Sequence, residues 1–260
     1  MPLWVAYALL LGIVFLFGAC VGSFLGVVAD RVPRGQSIVR GRSFCPHCRR
    51  ELSPRELIPL VSFPWQRRRC RHCGAPIPWR LFFTELAGGL LAVWVLLSQN
   101  CTFNSTFWVY LAICFALLAI ALTDLASMLI PGGLIAALAV PVLGSLLLPQ
   151  SPGLPSRLIG LFCVSVPMLL ITLAIPGSFG GGDIKLVAVC GFLLGWQRTL
   201  LGLFLALLSG GAYGGYLLIK DRRNKSRHFA FGPFLCGGAF LALLYGQDLI
   251  NWYIGLVTGW

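Results

Sequence analysis

Long runs of apolar residues, separated by short polar stretches, make up most of the chain. Most of these runs approach the length of about 20 residues that an α-helix needs to cross a bilayer. Because lipid satisfies no backbone hydrogen bonds, such runs predict transmembrane helices. The sixth run is short and ends at Gly195-Trp196, so we expect it to be tilted or only partly inserted. The eight predicted spans are 3–28, 80–98, 107–125, 131–148, 157–175, 184–195, 199–219 and 231–256.

The composition agrees with this pattern. Of the 260 residues, 58% are hydrophobic and only 11% are charged, whereas a soluble domain carries about 25% charged residues. These values exclude a soluble enzyme, a disordered chain and a fibrous protein. They also exclude a lone anchor on a soluble domain, because apolar runs fill most of the sequence. The sequence therefore predicts an all-α polytopic membrane protein with about eight transmembrane helices.

The basic residues predict the orientation. A net charge of +12 is compatible with nucleic-acid binding, but 12 of the 20 basic residues lie between Arg31 and Arg80, and five lie between Lys220 and Arg227. Loops rich in Lys and Arg stay in the cytoplasm. The first run has no basic residue before it, unlike a signal peptide. We therefore expect cytoplasmic loops at 29–79 and 220–230, both termini outside, contact with lipid and no nucleic-acid partner.

Two cysteine pairs fall in the first of these loops. Cys45-Pro-His-Cys48 and Cys70-Arg-His-Cys73 are CxxC motifs separated by 21 residues, a spacing close to that of a Cys₄ zinc ribbon. In a segment too short for a large core, a metal would supply much of the folding energy. A disulfide, a free thiol or bound iron are the alternatives, although a cytoplasmic loop is reducing. The motifs predict a small zinc-ribbon-like insertion held by structural zinc.

Acidic residues are few, and three of the eight fall within or at the ends of apolar helices: Glu85, Asp124 and Asp183. A charged residue at the centre of a membrane helix costs about 2.5–3.5 kcal/mol and is a functional candidate. The charge-derived topology brings Asp124 and Asp183 to the cytoplasmic ends of their helices. Two carboxylates that share one proton are the catalytic groups of an aspartic protease. The alternatives are that Asp183 caps its helix and that Asp124 and Glu85 pair with arginines, Glu85 with Arg80.

Five sequence blocks follow one another between Phe17 and Leu235. In this order they resemble the type IV prepilin peptidase family, also called leader peptidase/N-methyltransferases, which are GxGD membrane aspartic proteases. The opening block has Gly26 where the family commonly has Asn, and Gly132 follows Ile-Pro where Asp or Asn is common. The blocks are Phe17 to Pro33; the CxxC pairs with Ile77-Pro-Trp-Arg80 through Glu85; Asp124 with Ile130-Pro131; Gly180-Gly181-Gly182-Asp183-Ile184-Lys185-Leu186; and Phe231-Gly-Pro-Phe-Leu235.

The resemblance implies a function. It implies an endopeptidase of the bacterial inner membrane that removes the cytoplasmic leader from type IV prepilins or pseudopilins, in pilus assembly or protein secretion. The catalytic residues would be Asp124 and Asp183. Methylation of the new N-terminus would use S-adenosylmethionine. The supporting residues of the motifs would be Gly180, Gly181, Gly182, Lys185 and Glu85.

The rival interpretation is a non-enzymatic carrier or assembly scaffold with a zinc-ribbon docking module, since buried carboxylates also serve proton relays. A carrier favours broken helices and repeated halves, and the sequence shows neither. A zinc metalloprotease is excluded because the chain has no HExxH motif. Under the favoured interpretation we expect three parts: a first helix at 1–28, the zinc module at 29–79 and a membrane protease domain at 80–260.

Overall fold

The computed structural model describes residues 2–149, 151–220 and 229–258, and within these residues the chain is helical, with no sheet beyond two isolated β-bridges. Asp221 and most of the predicted 220–230 basic loop lie outside the described residues. The helices are α1 (Leu3–Arg31), α2 (Ser62–Trp65), α3 (Trp79–Ser98), α4 (Ser105–Ser127), α5 (Gly132–Gly144), α6 (Leu154–Cys163), α7 (Ser165–Ala174), α8 (Gly181–Leu194), α9 (Trp196–Lys220) and α10 (Gly232–Thr258).

The prediction of an all-α polytopic membrane protein is confirmed. In the described residues, six helical segments are long and apolar enough to cross a membrane. The two other predicted spans form the shorter helices α5 and α8, of 13 and 14 residues. At 1.5 Å per residue each is about 20 Å long, less than the hydrocarbon thickness of about 30 Å. The predicted span 157–175 is divided at Val164 into α6 and α7.

Met1–Phe103 form one compact unit, in which α1 packs against α3. Gly18 and Gly22 lie one turn apart on α1 and allow the two backbones to approach closely. A Cβ atom at Gly22 would lie 2.5 Å from the carbonyl oxygen of Thr84, and one at Gly88 would lie 2.7 Å from the Cα of Gly22. The small residues of the opening sequence block are therefore required by helix packing.

Asn104–Trp260 form a second compact unit. Within it, α10 packs against α4, α8 and α9, while α8 also contacts α5 and α6. The side chain of Arg157 on α6 is only 1% exposed. It donates hydrogen bonds to Ser145 Oγ at 3.0 Å, to the Pro152 carbonyl at 3.0 Å and to the Phe192 carbonyl at 3.4 Å. The buried guanidinium therefore connects α6 to the last turn of α8 by a hydrogen bond. Asp183 lies at the other end of α8.

Candidate active site and metal centre

Asp124 lies in the last turn of α4, where the helix ends at a residue with a left-handed backbone. The φ of Met128 is 54°, and its N–H donates to the Asp124 carbonyl at 2.7 Å. The Asp124 side chain is buried, at 5% exposure, and its Oδ2 accepts a hydrogen bond of 2.9 Å from the Gly232 N–H. Gly232 is the first residue of α10. The N-terminus of α10 therefore faces the carboxylate, and its backbone N–H holds Oδ2 in place.

Asp183 lies in the first turn of α8. Gly180 is the N-cap of this helix, so Asp183 does not occupy the capping position itself. Its side chain is half-buried, and its negative charge is repelled by that of Asp124. The structure thus brings together two carboxylates that are 59 residues apart in the sequence.

Ile130 holds the two aspartate-bearing segments together. A Cβ atom at Gly182 would lie 2.7 Å from the Cβ of Ile130, and one at Gly232 would lie 2.6 Å from Asp124 Oδ2 and 3.2 Å from Ile130 Cδ1. Both positions leave no room for a side chain. Glycine is required at these two positions by the lack of space and not by the backbone conformation, because neither residue has a positive φ. Three of the motifs found in the sequence therefore meet at one side chain.

Two carboxylates that repel each other ionise less readily together than singly, so such a pair can hold a single proton. One can take a proton from water while the other donates one to a carbonyl oxygen.

Cys236, one turn into α10, is buried within electrostatic range of both carboxylates. Lys185 is exposed and forms no ion pair within the described residues. The arrangement has the groups that hydrolysis of a peptide bond needs.

The four cysteines of the CxxC motifs converge on one point. Their sulfur atoms all lie within 4.8 Å of one another, and Cys45 Sγ is 3.8 Å from Cys73 Sγ. A tetrahedron of thiolates around zinc, with Zn–S bonds of about 2.3 Å, has S···S edges of roughly 3.8 Å. The described residues contain no other cluster of at least three such ligands. The cluster could bind a metal, and its dimensions fit zinc.

The two cysteine motifs have the same backbone conformation. In the first, the Cys45 N–H donates to the Arg50 carbonyl and the Arg49 N–H donates to the Cys45 carbonyl. In the second, the Cys70 N–H donates to the Ala75 carbonyl and the Gly74 N–H to the Cys70 carbonyl. Each knuckle is followed by a left-handed residue, with φ values of 57° and 73°. Each turn therefore presents two sulfur atoms on one side.

The environments of the thiols differ. Backbone N–H groups of Cys48 and His47 lower the pKa of Cys45 to about 6. The Ala75 N–H lowers the pKa of Cys73, but burial and hydrogen bonds with the neighbouring thiols raise it to about 11. One thiolate thus forms readily, while the fourth thiol resists ionisation among the other sulfur atoms. A divalent cation would relieve this repulsion.

Glu85 on α3 does not pair with Arg80, which was one predicted alternative. Arg80 forms an ion pair with Asp30 instead. The Glu85 carboxylate accepts from Ser23 Oγ at 2.9 Å and from the Leu60 N–H at 2.7 Å. Arg80 lies in the first turn of α3, and its partner Asp30 lies in the last turn of α1. Glu85 is left facing the loop that carries the cysteines.

Glu56 is a further residue of the cysteine loop that the sequence analysis did not single out, and it is only 7% exposed. Its Oε2 accepts from the N–H and the Oγ of Ser53, both at 2.8 Å, and the Ser53 N–H lowers the pKa of the carboxyl group. Its Oε1 is buried without a hydrogen bond, with His72 Nε2 at 3.9 Å. The Ser-x-x-Glu spacing of a capping box was a signal for this local order.

Comparisons with known proteins match almost the whole chain. A model of the bacterial peptidase A24 N-terminal domain matches residues 16–99, and that of the type IV leader peptidase family matches residues 111–215. A prepilin leader peptidase/N-methyltransferase of Bacillus subtilis is 33% identical over 96% of this chain and 100% of its own length. One of Aeromonas hydrophila is 32% identical over 96% of this chain and 94% of its own length. No solved structure matches the chain significantly.

Proposed function

The chain belongs to the type IV leader peptidase family, and from that premise we propose that Asp124 and Asp183 are the catalytic pair of a prepilin leader peptidase. The observation that carries the assignment is the junction around Ile130. There, an α10 backbone N–H holds the Asp124 carboxylate while α8 presents Asp183 beside it. Among the described residues, no ion pair includes Asp124 or Asp183. Both carboxylates are therefore available to a substrate.

The proposed reaction follows from the shared proton. The ionised carboxylate takes a proton from water as the water oxygen bonds to the scissile carbonyl carbon, and the neutral carboxyl group protonates the carbonyl oxygen. The tetrahedral intermediate then collapses. Its carbon–nitrogen bond breaks as the leaving nitrogen takes the proton that the first carboxylate gained from water, and the proton on the former carbonyl oxygen returns to the second carboxylate. The Gly232 N–H keeps Asp124 in one orientation through these steps, which is the positioning that such chemistry requires.

We place the catalytic pair on the cytoplasmic side of the bacterial inner membrane, with both termini outside. The support is the concentration of basic residues at 31–80 and 220–227, which predicts cytoplasmic loops. The leader of a prepilin would reach the pair from this side while its apolar helix stays in the bilayer. The excess positive charge then serves orientation and contact with lipid rather than nucleic-acid binding.

We propose that Cys45, Cys48, Cys70 and Cys73 hold one structural zinc ion. The equal backbone geometry of the two knuckles and the 3.8 Å sulfur separation support this assignment. The metal stabilises the 29–79 module and takes no part in hydrolysis. The first helix at 1–28 and the membrane domain at 80–260 are the other two parts of the division predicted from the sequence, whereas the compact units of the structure divide after Phe103.

The relatives carry a second activity in their names, N-methyltransferase, and we propose the same for this chain. The new N-terminal amine would form a bond to the methyl carbon of S-adenosylmethionine as the carbon–sulfur bond breaks, with the electron pair staying on sulfur and the lost proton passing to solvent. Cleavage must precede this step, because the nitrogen that is methylated belongs to the scissile amide until that bond is cut.

The test is a reaction of the detergent-purified protein with a prepilin and labelled S-adenosylmethionine, analysed by mass. The wild type should give one cut and one added methyl group. Asp124→Asn and Asp183→Asn should each abolish cleavage, and the double variant should be no worse than either. Asp248→Asn is the matched control and should cut normally, because Asp248 is exposed and lies about 24 Å along α10 from Gly232. Substantial turnover by either single variant would refute the catalytic pair.

The orientation has its own test in intact cells. Ser151→Cys should react with a membrane-impermeant thiol reagent added outside. A cysteine introduced into the 220–230 loop should react only after the cytoplasmic side is opened. Labelling of that loop from outside would contradict the topology.

A further inference from the structure

A cavity within the unit formed by Met1–Phe103 plays no part in the hydrolysis proposed above. Its volume is about 310 Å³, which lies within the range of about 300–1,000 Å³ found for small-molecule sites. Both the helices and the cysteine module contribute to its wall. Among the lining residues are Ser23, Glu56, Phe63, Phe82 and Glu85.

One wall of this cavity carries a carboxylate that is already oriented. Glu85 accepts one hydrogen bond on each oxygen, from Ser23 Oγ and from the Leu60 N–H. Each carboxylate oxygen can accept a further bond. No cation pairs with Glu85 in the part of the chain that the structure describes. A half-buried carboxylate without a cationic partner is costly, and a positively charged ligand would remove that cost.

A second carboxylate and an aromatic surface complete the cavity. Glu56 is held by Ser53, and its Oε1 makes no hydrogen bond. The rings of Phe63 and Phe82 lie 5.2 Å apart between centroids. Two acidic groups with flat apolar walls favour a ligand that combines cationic groups with an aromatic ring. A lysine side chain of a leader has the charge but no aromatic group for the remaining space.

We propose that this cavity binds S-adenosylmethionine, with Glu85 and Glu56 facing its sulfonium and ammonium groups and Phe63 and Phe82 covering its adenine. The inference rests on the methyl-transfer half of the proposed function. It assigns that half to residues 1–103, while Asp124 and Asp183 belong to residues 104–260. The two activities would then use different residues of one chain.

The first experiment measures binding of labelled S-adenosylmethionine to the full-length, zinc-loaded protein in detergent by equilibrium dialysis. Glu85→Gln keeps the shape of the side chain and removes its charge, so the Kd should rise about tenfold or more, as expected for a lost charge-assisted hydrogen bond. Glu51→Gln is the matched control, because Glu51 is exposed and pairs with Arg42 outside the cavity. Its Kd should stay within twofold of that of the wild type.

A second pair of variants tests the space rather than the charge. Ser62 lines the cavity and its neighbour Val61 does not, although both belong to the same short turn. Ser62→Trp should abolish binding of S-adenosylmethionine, and Val61→Trp should leave it unchanged. Zinc content and thermal midpoint report whether each variant is folded.

The wild type gives a result that needs no variant. Labelled S-adenosylmethionine is photo-crosslinked to the protein, and the modified peptide is identified by mass. The label should map between residues 43 and 85. Mapping to residues 104–260, or equal binding by wild type and Glu85→Gln, would overturn the inference while leaving methyl transfer intact. A lysine-containing leader peptide that binds in a Glu85-dependent manner, in place of S-adenosylmethionine, would overturn it too. A chain that neither binds the donor nor methylates cut pilin would instead refute the methyl-transfer half of the proposed function.

Discussion

Two of the three consecutive glycines before Asp183 should respond differently to the same substitution. Gly181 and Gly182 both lie in the first turn of α8, and neither has a positive φ. A Cβ atom at Gly181 would meet nothing within 4 Å, whereas one at Gly182 would lie 2.7 Å from Ile130 Cβ and 3.2 Å from the Ile130 carbonyl oxygen. Gly181→Ala and Gly182→Ala are therefore a matched pair.

The size of the effect follows from the contact distances. Carbon atoms in contact lie about 3.5–4.0 Å apart, so Gly182→Ala requires a movement of roughly 1 Å between α8 and the Ile130 segment. Asp183 is the next residue and would move with the helix. A misplacement of about 1 Å can reduce the rate about 10²-fold. Gly181→Ala meets no such contact, and the higher helix propensity of alanine should slightly stabilise α8.

The assay is the initial rate of prepilin cleavage by protein purified in detergent, normalised to folded protein. We expect kcat/KM to fall about 10²-fold for Gly182→Ala, on the argument from displacement, and to change less than threefold for Gly181→Ala. Methylation of previously cut pilin is the internal control, since it should persist in both variants. Equal activities of the two variants, or a larger loss for Gly181→Ala, would refute the reasoning from the Ile130 contact.

Three further predictions concern the rest of the molecule. Gly232→Ala should lose cleavage, because its Cβ would lie 2.6 Å from Asp124 Oδ2. Gly237→Ala on the same helix meets nothing within 4 Å and should retain cleavage, as measured by the rate of prepilin cleavage. Elemental analysis should find about one zinc per chain. The metal should be lost in Cys70→Ser and retained in Cys20→Ser, and wild-type protein without zinc would contradict the metal site. Arg157→Met should lower the free energy of unfolding by about 1–3 kcal/mol, because it removes the donor to several buried carbonyls. An unchanged thermal midpoint in detergent would show that this guanidinium does not stabilise the end of α8.

Some properties of this protein can be read from the sequence because they depend on local composition. The apolar runs predict the helices, since burial of apolar residues in lipid and internal hydrogen bonding depend on consecutive residues. The CxxC spacing predicts the cysteine cluster, because each pair of thiols is positioned by its own turn. Residues 45–48 and 70–73 converge as this spacing predicts. The sequence motifs also identified the family that the comparisons support.

Other properties depend on contacts between distant residues, which no local pattern contains. The hydrogen bond from Gly232 to Asp124 joins residues 108 positions apart. Pairing of Glu85 with Arg80 was one alternative that the sequence left open, but tertiary packing gives Glu85 the partners Ser23 and Leu60 instead. Gly181 and Gly182 are chemically identical neighbours, and only the position of Ile130 makes one of them irreplaceable. Local sequence determines which helices form and how the cysteine turns are shaped, whereas the packing of those helices decides which side chains meet, because contact depends on distance in space rather than separation along the chain.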